Sequence, residues 1–172
     1  MRYLSRGRMS ETARSAELLG WVRESRDPAA RVALSESGLP ASLSASLFEA
    51  LQAHTSASDG ATRELILLLR ALRNLCAGVT AAQDQVLAAG AAEPLAQLCR
   101  HQAQLGDSAG RGELLEAALQ ALGNSCVQHE RGQDAAWCAA LFRHRAAPHL
   151  CFHRRAFFPD TFALLARTRG AS

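Results

Sequence analysis

Two segments of this chain repeat one another fifty positions apart. Leu69-Arg70-Ala71-Leu72-Arg73-Asn74-Leu75-Cys76 aligns with Leu119-Gln120-Ala121-Leu122-Gly123-Asn124-Ser125-Cys126, and a Gln-Asp pair follows each Asn at the same distance, Gln83-Asp84 and Gln133-Asp134. No gap is needed to hold the register. A period in the forties or low fifties marks stacked helical units, none of which can bury its apolar face alone. It directs the search for function towards an extended surface rather than a catalytic pocket.

Composition agrees with helices. Almost half of the 172 residues are hydrophobic, mainly Ala and Leu, which favour helix, while aromatic residues make up only 5%. The length suffices for one domain with a real core. All 19 basic residues are Arg, and the formal net charge of +3 is too small and too scattered to point to nucleic acid. The five cysteines are odd in number, and Cys76, Cys99 and Cys126 fall in apolar helical patterns. They read as buried free thiols of a reducing compartment. No apolar run approaches the roughly 20 residues that span a bilayer. The Arg-rich start, Met1 to Arg8, has the flavour of an import segment, but Glu11 and Glu17 follow early, so a frayed end is expected over residues 1–9.

Along the chain, a helical pattern begins at Ser10 and runs through Leu18, Leu19 and Val22. Asp27-Pro28 supplies an N-cap and a first-turn proline. Gly38-Leu39-Pro40 breaks the chain again before a helix through Leu43, Leu47 and Leu51, and residues 54–60 read as a loop. The strongest helix spans about 62–77, with Leu65, Leu68, Leu69, Leu72 and Cys76 as its buried stripe and Gly78 as its stop. Thr80 and Gln83 have the spacing of a capping box. A helix follows to Ala89, another from Glu93-Pro94 to about 103, and then a Gly-rich loop over 105–112. The next long helix carries Leu115, Ala118, Leu119, Leu122 and Cys126, and a further one carries Trp137 and Leu141. Pro148 and Pro159 punctuate two shorter helices. Three helices per unit and a period near fifty predict an all-α, armadillo-like α-solenoid, a right-handed superhelix of about three units. The predicted boundaries are 10–156 for the helical domain and 157–172 for a divergent tail.

Ala71-Leu72-x-Asn74-Leu75-Cys76 resembles the third-helix signature of armadillo repeats, and Ala88-Ala89-Gly90-Ala91 with Pro94-Leu95 resembles the stretch between their first two helices. More narrowly, Leu72 to Cys76, Gln83, Leu119 to Asn124, Gln133 and Trp137 are similar to the N-terminal half of the ataxin-10 family, over about residues 62–153. Ala82 departs from the Asn of that family's pattern. The resemblance implies a cytoplasmic, non-enzymatic scaffold with protein partners, in a family associated with neurite outgrowth, cytokinesis, cilia and self-association. Armadillo-built dissociation stimulators of Rho-family GTPases are a second similar group, which would imply regulation of small GTPases.

The resemblance makes Asn74 and Asn124 the first candidates for partner binding, because the equivalent Asn lines the groove of armadillo proteins. One amide offers a donor and an acceptor, matching a peptide unit. The same Asn can instead stitch adjacent third helices through main-chain carbonyls. One turn earlier, where importin-type repeats carry Trp, stand Arg70 and Gln120, which argues against recognition of a nuclear-localisation peptide. Arg70, Arg73 and Arg63 suit acidic segments, or form a solvated charged face. His149 and His153, with Cys151 and His144 nearby, do not complete a tetrahedral metal set. No catalytic constellation, phosphate-cradling loop or cofactor motif is found, so no enzyme activity, metal or cofactor is expected. Trp137, Leu141, Phe142, Phe152, Phe157, Phe158 and Phe162 are expected to form an uncapped C-terminal face that a second copy, further chain or a partner would cover.

Overall fold

Helix starts and stops in this chain are set by a few residues, and their positions show directly in the computed structural model, which describes residues 11–53, 59–104 and 111–141. Eight helices are found there: α1 (Glu11–Glu24), α2 (Pro28–Glu36), α3 (Leu39–Ala53), α4 (Asp59–Cys76), α5 (Thr80–Ala88), α6 (Ala92–Gln104), α7 (Arg111–Cys126) and α8 (Glu130–Leu141). The described residues contain no strand. Contacts divide the chain into two units, Met1–Ala140 and Leu141–Ser172. Apart from Leu141, the second lies outside the described residues, as do the expected His149/His153 cluster and the phenylalanines of the C-terminal face. The side chains of Trp137 and Leu141 lie outside them too.

Asp27 caps α2 as its sequence suggests. Its Oδ2 accepts the Ala30 N–H at 2.8 Å, and Pro28 sits in the first turn where a missing N–H costs nothing. Gly78 follows the end of α4 and Gly90 the end of α5, both with φ of +73°, the left-handed geometry that a glycine adopts without a Cβ clash. Fifty positions after Gly78, the same turn after α7 places Gln128 at φ +55°, a non-glycine residue in the strained region.

Two sequence expectations need correction. The capping box at Thr80 and Gln83 does not form: Val79 is the N-cap of α5 and makes no side-chain cap bond. Gln83 is buried and turns away from its own helix towards α7. The end of the expected 54–60 loop is helical, because Asp59 and Gly60 belong to α4, and residues 54–58 lie outside the described residues.

α4 is the centre of the packing. It lies against α1, α3 and α7, with smaller contacts to α2 and α5, and α7 in turn packs on α6. The expected stripe of Leu65, Leu68, Leu69, Leu72 and Cys76 is buried, but so are Ile66, Leu67, Ala71 and Leu75. A helix flanked on three sides buries most of its circumference, which a one-stripe reading underestimates. On α7, Ala118 and Cys126 of the expected stripe are buried, but the other buried side chains are Leu114, Ala117, Ala121 and Ser125, whereas Leu115, Leu119 and Leu122 are half-buried. The arc of α7 that meets α4 and α6 is therefore rotated from the one expected. Helices α2–α3–α4 and α5–α6–α7 follow one another as similar triplets, with α1 before them and α8 after.

The entry into α8 is tight. A Cβ on Gly132 would stand 2.6 Å from the Ser125 carbonyl oxygen. The Gly132 N–H meanwhile donates to His129 Nδ1 at 2.9 Å, and His129 Nε2 faces Asp84 Oδ1 at 3.2 Å. Gly132→Ala is expected to cost about 1–3 kcal/mol, the scale of overpacking a tight contact. Hydrogen exchange should show faster opening of α8 with α4 unchanged; equal protection of α8 in variant and wild type would contradict the close approach.

Candidate functional site

The repeated Asn residues sit on α4 and α7 and reach the preceding long helix. Asn74 Nδ2 donates to the Val22 carbonyl of α1 at 3.1 Å, and Asn124 Nδ2 donates to the Arg73 carbonyl of α4 at 2.9 Å. Val22 stands to Asn74 as Arg73 stands to Asn124. Both accepting carbonyls lie near a helix C-terminus, where the last four lack an intrahelical donor. Each Asn thus joins consecutive members of the row α1–α4–α7.

The same device joins the shorter helices. Gln83 Nε2, on α5, donates to the Asn124 and Val127 carbonyls at the end of α7 at 2.8 and 2.9 Å. Arg31 Nη1, on α2, donates to the Ala77 carbonyl just after α4 at 2.6 Å. Ala77 and Val127 are fifty positions apart, as are the two Asn, so the bonding pattern repeats with the sequence. Gln85 Nε2 adds a bond from α5 to the Ser35 carbonyl of α2 at 2.8 Å.

The other candidates form a polar chain across the row. Glu116 Oε1 accepts from Gln120 Nε2 at 2.8 Å, and Gln120 Oε1 accepts from Arg73 Nη1 at 2.6 Å. Arg73 Nε and Nη2 both donate to Asn74 Oδ1, at 3.0 and 2.8 Å. Asn74 therefore uses both ends of its amide inside the protein and is 9% exposed. Arg70 pairs with Glu113 at 2.8 Å, near the start of α7, and both remain substantially exposed. Four of the five sequence candidates, Asn74, Arg73, Gln120 and Asn124, are thus bonded to one another directly or through Arg73, and Arg70 stands one turn away.

Beside this network runs a cleft between α1 and α4. One part, about 530 Å³, is lined by Leu19, Val22, Arg23, Arg26, Leu67, Arg70 and Arg73. An adjoining part shares Leu19, Leu67 and Arg70 and extends to Thr62, Arg63, Ile66 and Glu113. On α4, residues 63, 66, 70 and 73 recur at three- and four-residue steps and face the same way. Burial lowers the pKa of Arg73 from its ordinary value, and the positive charges of Arg70 and Arg26 push it further down, against an opposing pull from Glu116. Arg23 and Arg26 are exposed, and no ion pair holds either among the described residues. Sequence reading missed both, because α1 carries no Asn and was not aligned with the repeats. Arg23 occupies in α1 the place that Asn74 occupies in α4.

Cys76, Cys99 and Cys126 are free and buried. Burial pushes the thiols of Cys76 and Cys99 up to about 12, and that of Cys126 up as well. Among the described residues, no group of three or more His, Cys, Asp or Glu stands close enough to hold a metal ion, and no helix is long and apolar enough to cross a membrane. No family model, curated protein or solved structure matches the chain.

Two outcomes are expected from these contacts. Asn124→Ala removes the donor of the Arg73 carbonyl and should cost about 1–3 kcal/mol. Asn74→Ala, which also strips an acceptor from a half-buried guanidinium, should cost more; urea unfolding monitored by circular dichroism checks the order. Separately, with a pKa near 12, Cys76 and Cys99 hold roughly one thiolate in ten thousand at pH 8. Both should resist a thiol-alkylating reagent in the native protein and react promptly in denaturant, as read by peptide mass.

Proposed function

We propose that this protein is a non-enzymatic interaction scaffold of armadillo type, with a relationship to the ataxin-10 family, that binds protein partners along the row α1–α4–α7. The observation that carries the reading is the repeated stitching. Asn74 bonds α4 to α1 and Asn124 bonds α7 to α4 in the same way, while Arg31 and Gln83 repeat one bond inside each triplet at the same period and Gln85 bonds α5 to α2. Such a bonding pattern is what a helical-repeat stack requires if each unit is to contact its neighbours in a fixed register. The all-helical fold and its two similar triplets fit that reading.

In this reading the two Asn hold the scaffold together, and the partner meets the exposed edge of the row, where Arg70, Arg73 and Gln120 lie beside the α1–α4 cleft. Partners are proteins, and the setting is the cytoplasm, as the family resemblance implies. Self-association through the C-terminal aromatic residues remains part of the proposal, at positions outside the described residues.

Affinity capture with the full chain from cytoplasmic extract tests the scaffold role. Specific partners should be enriched, and excess untagged protein should compete them away in a saturable manner. An enriched set no different from that of an unrelated helical protein would refute it.

A further inference from the structure

The cleft between α1 and α4 combines an apolar floor with a basic rim. Val22 and Leu67 of the floor are buried and Leu19 is half-buried. The rim gathers Arg23 of α1, Arg26 of the turn after it, and Arg70 and Arg73 of α4. Arg70 is balanced by Glu113, and Arg73 is held by Asn74 and Gln120. Arg23 and Arg26 form no ion pair among the described residues, and the charge of Arg26 is felt at Arg73. Repelling like charges cost stability when placed together, and an anion laid between them removes that cost.

We infer that this cleft binds an extended acidic segment of a partner protein, in which carboxylates alternate with apolar side chains. The carboxylates meet Arg23 and Arg26 in forked pairs, and the apolar residues between them rest on Leu19, Val22 and Leu67. The inference rests on the scaffold reading above and names the chemistry of its partner. One feature favours a peptide over nucleic acid: among the described residues that line the cleft none is an aromatic side chain on which a base could stack, whereas Leu19, Val22 and Leu67 suit aliphatic side chains.

The test uses the full chain and a short fluorescein-labelled peptide of alternating Glu and Leu, read by fluorescence anisotropy. A Lys and Leu peptide, a labelled single-stranded RNA and phosphatidylserine vesicles serve as comparisons. The acidic peptide should bind, and its affinity should fall with added salt. Arg23→Gln, Arg26→Gln should weaken it by about tenfold, through the loss of two charge pairs at the rim. Arg23→Lys, Arg26→Lys should retain most of the binding. Both positions are exposed, and matching circular dichroism spectra verify the fold. Arg131→Gln, at an exposed side chain of α8, should leave binding unchanged. The inference is overturned if the peptide fails to bind at low salt, if the glutamine variant binds as well as wild type, or if RNA or vesicles bind at least as tightly. Partners that are captured from extract equally by the glutamine variant and by wild type overturn it too, and leave the scaffold role standing.

Discussion

The architecture depends on how the C-terminal carbonyls of its helices are satisfied. Every α-helix leaves its last carbonyls without an intrahelical donor, and buried main-chain acceptors need partners. Here the turns are short: three residues separate α4 from α5 and three separate α7 from α8. Turns of that length supply few donors of their own. Donors arrive as side chains from a neighbouring helix: Asn74 for Val22, Asn124 for Arg73, Gln83 for Asn124 and Val127, and Arg31 for Ala77, while Gln85 adds a second donor to the Ser35 carbonyl that Gly38 N–H already meets. Arg31 adds a positive charge at the negative end of the α4 dipole.

These bonds and the leucine core have different tasks, and their magnitudes show which does what. A buried leucine contributes about 1.5–3 kcal/mol, whereas an intramolecular hydrogen bond contributes about 0.5–1.5 net. Leu65, Leu68, Leu69, Leu72 and Leu75 on α4 alone therefore outweigh all the stitching amides. Apolar packing, however, tolerates sliding between helices, and an amide aimed at one carbonyl does not. Sliding α7 along α4 would leave both the Arg73 carbonyl and the Asn124 amide unpaired in a partly buried seam. The core holds the helices together, and the amides set their register.

The division explains which parts of the structure were legible in the sequence. Helix positions were, because Asp27-Pro28, Gly78, Gly90 and the leucine spacing act locally. The importance of Asn74 and Asn124 was legible too, through the repeat, and both stitching and peptide binding were open readings of them. Choosing between these required knowing which carbonyl lay within reach, which is a property of packing. Gln83 was misread for the same reason: its spacing from Thr80 suits a capping box, but two acceptors at the end of α7 offer it more than one donor in its own helix. The membership of α1 in the row was hidden because Arg23 stands where an Asn would have marked it. The rotation of α7 was hidden because Leu114 and Leu115 are chemically equal, and only the direction of α4 and α6 distinguishes them.

In the proposed scaffold, engagement of Asn74 moves recognition away from it. Its amide oxygen takes two bonds from Arg73, one amide hydrogen goes to Val22 and the residue is 9% exposed, which leaves little for an incoming main chain. What the row presents instead is its Arg residues, and they are not equivalent. Arg73 is locked by three hydrogen bonds and partly desolvated, so it acts as a fixed positive charge within the protein. Arg70 is shared with Glu113. Arg23, in the last turn of α1, and Arg26, in the turn just after it, are both exposed to solvent. Affinity for a carboxylate requires donors that are free in the unbound protein, and orientation requires neighbours that do not move. The row supplies the first from the C-terminal end of α1 and the second from α4, which puts the proposed binding edge at the seam between those two helices.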